Sequence, residues 1–214
     1  MFFLLAFALV GFEYCNAQYV LDTVLVHSTT SGMEIPKIFF TYNVSGKVST
    51  QTRELFKNNN WVNFDKNSYS YNSNGNMLSE LQENWQNNAW GPGFRRTYTY
   101  DTNNLLTTEL EELYRQNTWG FSIRYTYTYD STGKILSLLY EQWLNNEWMN
   151  YTRQSFTYDT TGNILTELYE HWLNNEWVNG TKTTYTYNTT NKKLTELFER
   201  YENSTWISIL LPIS

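Results

Sequence analysis

The chain has 214 residues, long enough for one sizeable domain. Only 17% of them are charged while 18% are aromatic, with 18 Tyr and 9 Trp, a balance that favours strands and turns and excludes a disordered chain. A net charge of −6 speaks against nucleic acid as a partner, which calls for a basic face.

Residues 1–17 read as a signal peptide. Met1 to Phe12 is an apolar run too short to span a bilayer as a helix, and Cys15-Asn16-Ala17 offers a small-residue cleavage site before Gln18. The expectation is therefore a secreted or cell-surface protein with no membrane attachment once the leader is removed. Cys15 is the only cysteine, so the mature chain is expected to lack disulfides, thiolate metal sites and a cysteine nucleophile. Residues 18–36 are expected to form an N-terminal cap that pairs with the first repeat, and residues 208–214 a C-terminal tail.

Residues 37–207 are a tandem repeat. Tyr42, Tyr71, Tyr100, Tyr129, Tyr158 and Tyr187 are spaced by 29 residues, as are Trp61, Trp90, Trp119, Trp148, Trp177 and Trp206. Six copies follow one another without an insertion.

Each repeat holds two turn signals. After the Tyr, as in Tyr158-Asp159-Thr160-Thr161-Gly162-Asn163-Ile164, the fourth position is always Gly or Asn (Gly46, Gly75, Asn104, Gly133, Gly162, Asn191), the residues that tolerate a left-handed backbone. This predicts a three-residue hairpin loop capped by the preceding Asp or Asn. The second signal is Trp172-Leu173-Asn174-Asn175-Glu176-Trp177 and its cognates, where Asn-Asn suits a two-residue hairpin loop. Between turns, segments such as Arg124-Tyr125-Thr126-Tyr127-Thr128-Tyr129 alternate with period two. The predicted fold is all-β: an antiparallel β-meander of six hairpin repeats, about twelve strands, in a curled and twisted sheet. A closed up-and-down barrel is the alternative.

Simple alternation from the turns sets Trp85 opposite Trp90, Trp143 opposite Trp148 and Trp172 opposite Trp177. It also sets Glu80 opposite Arg95, Glu109 opposite Arg124, Glu167 opposite Lys182, and Leu138 opposite Arg153. One face is then Thr, Ser, Lys/Arg and Glu. The other carries Tyr or Phe, the aliphatic residues and both Trp, roughly 1,700 Å² of surface if flat, more than a soluble monomer leaves exposed. The aromatic face is expected on the concave side.

A column of carboxylates, Glu54, Glu83, Glu112, Glu141, Glu170 and Glu199, falls on that aromatic face. It needs donors, expected from a Trp N–H, a Tyr O–H or a cross-strand Asn. Its ligand-binding reading places Glu83, Glu141 and Glu170 beside Trp85, Trp90, Trp143, Trp148, Trp172 and Trp177 as stacking platforms for a sugar. Adjacent carboxylates would lie about 10 Å apart, and their regularity reads as architecture and not as a catalytic pair. His27 and His171 stand in unrelated contexts, and Asp101, Asp130 and Asp159 bring too few oxygens for calcium and read as turn caps. No catalytic, metal or cofactor motif is found, so the expectation is no enzyme and no cofactor.

Tyr129-Asp130-Ser131-Thr132-Gly133-Lys134-Ile135 and Tyr158-Asp159-Thr160-Thr161-Gly162-Asn163-Ile164 resemble the YD-repeat of Rhs-like proteins. The longer unit with its Trp-Leu-Asn-Asn-Glu-Trp turn resembles repeats in secreted and surface proteins of Bacteroidota, many of them cargo of a type IX system. The resemblance covers residues 37–207, though Asn follows Tyr42, Tyr71 and Tyr187 where the family has Asp. It implies an extracellular, structural or carbohydrate-associated role and no defined reaction.

The leading expectation is thus a non-enzymatic extracellular or cell-surface repeat module: spacer, adhesion element or glycan binder, with an extracellular glycan or surface protein as partner. Two other readings stay open. One is an outer-membrane β-barrel, on the even strand count and aromatic strand ends. The other is a truncated shell fragment of a larger secreted enzyme or toxin.

Overall fold

The structure is a computed structural model and describes residues 20–25 and 36–209. The leader expected at 1–17, His27 and residues 210–214 of the expected tail lie outside the described residues. The first strands are β1 (Val20–Leu25), β2 (Pro36–Tyr42), β3 (Val48–Lys57), β4 (Asn60–Tyr71), β5 (Met77–Gln86), β6 (Ala89–Tyr100) and β7 (Leu106–Arg115). They continue with β8 (Thr118–Tyr129), β9 (Ile135–Leu144), β10 (Glu147–Tyr158), β11 (Ile164–Leu173), β12 (Glu176–Tyr187), β13 (Lys193–Glu202) and β14 (Thr205–Ile209).

Hydrogen bonding follows chain order from β1 to β14, and every pairing described is antiparallel. The order has two ends among the described residues. The fold is therefore an antiparallel meander, and the closed-barrel alternative is set aside. The strands fall into two compact units, one within Met1–Thr97 and Leu113–Trp119, the other within Tyr98–Glu112 and Gly120–Ser214.

Turn chemistry explains the strand ends. Asn145 and Asn146 hold φ of 53° and 66°, and Asn174 and Asn175 hold 51° and 64°, the left-handed pair that a tight hairpin needs to match strand twist. Gln116-Asn117 and Asn203-Ser204 do the same with less usual residues. In the longer loops Gly162 sits at φ 98° and donates its N–H to the Asp159 carbonyl at 3.1 Å. Asp159 Oδ1 accepts the N–H groups of Thr161 and Asn163, both at 2.9 Å. Asn43, Asn72 and Asn188 cap their own loops through the same side-chain oxygen, so Asn and Asp are interchangeable there.

Simple alternation fails within the strands. In the strand after an Asn-Asn corner one residue is skipped by the ladder: Phe64 in β4, Gly93 in β6, Tyr151 in β10, Gly180 in β12. Each is a β-bulge, and the side chains beyond it change faces. Glu80 consequently faces Arg96 and not Arg95; Lys182 faces Leu168 and not Glu167; Arg153 faces Leu139 and not Leu138. Arg124 lies opposite Glu141. The two expected faces are thereby redrawn. Trp, Lys/Arg and the Glu column share one face with a row of Ser and Thr, while the Tyr and Phe before each three-residue loop occupy the other.

No apolar side chain is fully buried among the described residues. The most enclosed side chains are carboxylates: Asp65, Glu170 and Glu141, at 2, 6 and 7% exposure. Cross-strand pairs, each contributing roughly 0.2–1 kcal/mol, supply the cohesion that a buried core gives elsewhere. Hydroxyl rungs recur beside the three-residue loops, with Oγ separations of 2.6 Å for Thr157–Thr166, Thr186–Thr195 and Ser70–Ser79.

Candidate functional site

Three strands build one rung of the tryptophan face. In β8, Arg124 donates from Nε and Nη2 to the two carboxylate oxygens of Glu141 in β9, both at 2.7 Å. Its guanidinium carbon also lies 4.3 Å from the Trp148 ring centre, in β10. One repeat further on, Arg153 binds Glu170 at 2.7 and 2.8 Å and covers Trp177 at 4.6 Å. Lys182 binds Glu199 at 2.6 Å and covers Trp206 at 4.8 Å; Lys66 binds Glu83 at 2.6 Å and covers Trp90 at 5.1 Å.

Within a rung plain alternation puts cation, carboxylate and indole on one side, and the bulge keeps the next rung on that same side. A planar guanidinium there satisfies a carboxylate in its plane and a ring across its face. Glu54, Glu83, Glu141, Glu170 and Glu199 thus take their cations from the basic column, and not from the Trp, Tyr or Asn groups expected for them.

The structure brings the expected tryptophans together in pairs. Ring centres are 5.0 Å apart for Trp85–Trp90 and Trp172–Trp177 and 5.4 Å for Trp143–Trp148, all edge to face. That geometry adds about 0.5–1.5 kcal/mol beyond area burial. Glu83, Glu141 and Glu170 stand two residues before the first Trp of each pair. Both oxygens of Glu141 and Glu170 are occupied by guanidinium donors, and Trp90, Trp148 and Trp177 each carry a cation over the ring.

The opposite face was not singled out from sequence. In the first unit it carries ion pairs: Arg53 donates to both oxygens of Asp65, and Arg96 stands 3.6 Å from Glu80. The Asp65 carboxylate, chiefly through that hydrogen bonding, raises the Arg53 pKa above its ordinary value. In the second unit the same face is tyrosine-rich, with a hollow of about 300 Å³ among Tyr125, Leu138, Tyr140, Tyr151, Thr152, Gln154 and Tyr169. Further along it, Tyr185 donates to Glu167 at 3.1 Å, and burial, with that carboxylate's charge, leaves its phenol pushed up to about 12. The signal in the sequence was the break in periodicity at residues 125 and 151, where other repeats carry other types, and at Tyr140 and Tyr169 of one column otherwise filled by Arg53, Gln82, Glu111 and Phe198. Among the described residues no cluster of three or more His, Cys, Asp or Glu side chains is placed to hold a metal ion.

No family model matches the chain, and no curated protein does. Similar solved structures include a DUF3836 family protein from Bacteroides vulgatus ATCC 8482, 12% identical over 63% of this chain and 98% of its own, with a TM-score of 0.27. A porin-like protein from Bacteroides uniformis ATCC 8492 is 10% identical over 92% of this chain and 90% of its own, TM-score 0.33. TcdB2-TccC3-TEV is 12% identical over 86% of this chain, which spans 14% of that one, TM-score 0.34.

Proposed function

We propose that the chain is a non-enzymatic extracellular or cell-surface repeat module, a structural spacer that serves in adhesion. The observation that carries the reading is the rung of cation, carboxylate and indole, repeated at the 29-residue period. Its polar groups are spent on one another, which suits a scaffold and leaves the carboxylates poorly disposed to move protons. The resemblance to YD-repeat surface proteins of Bacteroidota and the apolar leader with its Ala17 site support export.

The test is fractionation of cells that produce the whole chain in its native genetic background. The expected product is at the surface or in the medium and begins at Gln18. A protein that stays in the cytosol with Met1 to Ala17 attached overturns the reading.

A further inference from the structure

The columns that build the sheet repeat: cation, Glu and Trp recur in every copy, and so do the two turns. Several columns on the opposite face do not, and three of them meet in one place. The column of Tyr140 runs Arg53, Gln82, Glu111, Tyr140, Tyr169, Phe198, and that of Tyr125 runs Ile38, Asn67, Arg96, Tyr125, Gln154, Thr183. The bulge position holds Phe64, Gly93, Tyr151 and Gly180 in the strands where it is seen. Scaffold demands would fill these columns alike. With the scaffold columns met on the tryptophan face, this face is left free to carry a local site.

The departures converge in space. Tyr140 stacks on Tyr125 with ring centres 5.2 Å apart and meets Tyr151 edge-on at the same distance. Tyr169 closes the other side of the hollow, and Thr152 and Gln154 add a hydroxyl and an amide to its wall. Tyr151 is half-exposed, at 54%, because the bulge pushes it out of the ladder. Gln142 donates Nε2–H to the Tyr140 phenol oxygen at 2.5 Å, which leaves that phenol its own proton to give.

Among the described residues no charged side chain lines the hollow. About 300 Å³ lies at the small end of the roughly 300–1,000 Å³ of small-molecule sites. Rings with apolar faces and polar tips, neutral throughout, match a ligand of the same character: a ring with an apolar face and hydroxyls around its edge. We infer that this tyrosine hollow binds a neutral pyranose unit of an oligosaccharide, with Tyr151 as the stacking platform and the Tyr140 phenol and Gln154 amide as hydrogen-bonding partners. The inference rests on the reading of the chain as a surface module, names the ligand class, and moves the binding site from the tryptophan face to the tyrosine face.

The experiment is retention of the whole mature chain on an array of neutral oligosaccharides, with charged oligosaccharides and tyrosine- and proline-rich peptides printed alongside. Retention of a neutral oligosaccharide is expected. Tyr151→Ala is expected to weaken it about tenfold or more, Gln154→Leu to weaken it less, and Trp143→Ala and Phe64→Ala to leave it within about twofold. Gln154→Leu keeps the rings in place and so reads binding even if Tyr151→Ala fails to fold. Retention of peptides or charged sugars alone, retention that survives Tyr151→Ala and Gln154→Leu, or no retention overturns the inference. Those results leave the surface-module reading standing, since it falls only with the localisation experiment.

Discussion

Arg153 reaches across from β10 to β11 and holds Glu170 by two parallel hydrogen bonds of 2.7 and 2.8 Å. The carboxylate is nearly enclosed while the guanidinium remains about one-third exposed. Removing the arginine would strand a charge that water reaches poorly. Arg153→Ala is therefore expected to cost roughly 1–3 kcal/mol, less than a fully buried pair because solvent screens the arginine side. Arg153→Lys should cost less, since Lys66 and Lys182 already fill this column in other repeats. Urea unfolding of the three proteins checks the ranking, and equal midpoints would contradict it.

The bulge at Gly180 makes a sharper test of register. Deleting that residue restores plain alternation in β12 and turns Lys182, together with the Glu199 opposite it, away from the face that carries Trp172 and Trp177. The expected loss is about 1–3 kcal/mol, and amide exchange should quicken in β12 and β13. Unchanged protection in those strands would show that the bulge is dispensable.

Acid should act through the loops. Asp159 is held below its ordinary carboxylate value chiefly by the Asn163 side chain, and Asp130 below its own chiefly by the Lys134 N–H. A lowered folded-state value contributes stability above the unfolded value near 3.8 and loses it as pH falls through the folded one. Asn caps the cognate loops without a charge. The double variant Asp130→Asn, Asp159→Asn is expected to match the wild type near neutrality and to lose less stability from about pH 5 down to about pH 2. Parallel acid limbs in the two thermal series would refute this.

Base should act on the tyrosine face. Tyr185, half-buried and beside Glu167, is pushed up to about 12 from an ordinary 10.0. A raised folded-state value gives stability that is complete below the unfolded value and is lost as pH rises toward the folded one. Wild-type stability should therefore decline between pH 10.0 and about 12, and Tyr185→Phe should flatten that part of the curve. An identical alkaline decline in the variant would assign the loss to other groups.

Much of this was legible in the residues. The Asn-Asn corners and the Gly or Asn after each Tyr state their own backbone demands, because few other residues hold positive φ, so strand order and the meeting of Trp143 with Trp148 follow from sequence. The bulge did not. The extra residue preserves the 29-residue spacing in the four strands where it is seen, and its occupant is Gly at 93 and 180 but Phe at 64 and Tyr at 151, so no single residue type announces it. Missing it sent Arg153 and Lys182 to the wrong face and left Glu170 and Glu199 without their donors. The tyrosine hollow was hidden for the same reason, since alternation placed Tyr and Trp together.

Strands that pair only with those beside them in the chain keep contact order low. Closing a hairpin takes about 1–10 μs, and within either unit each new strand needs only the one already laid down as its template. Such a sheet is expected to assemble by successive zippering from whichever hairpin closes first, at rates nearer those of helical proteins than of sandwiches whose partners lie far apart in sequence. A nascent chain emerging end first from the ribosome would meet the same order of events.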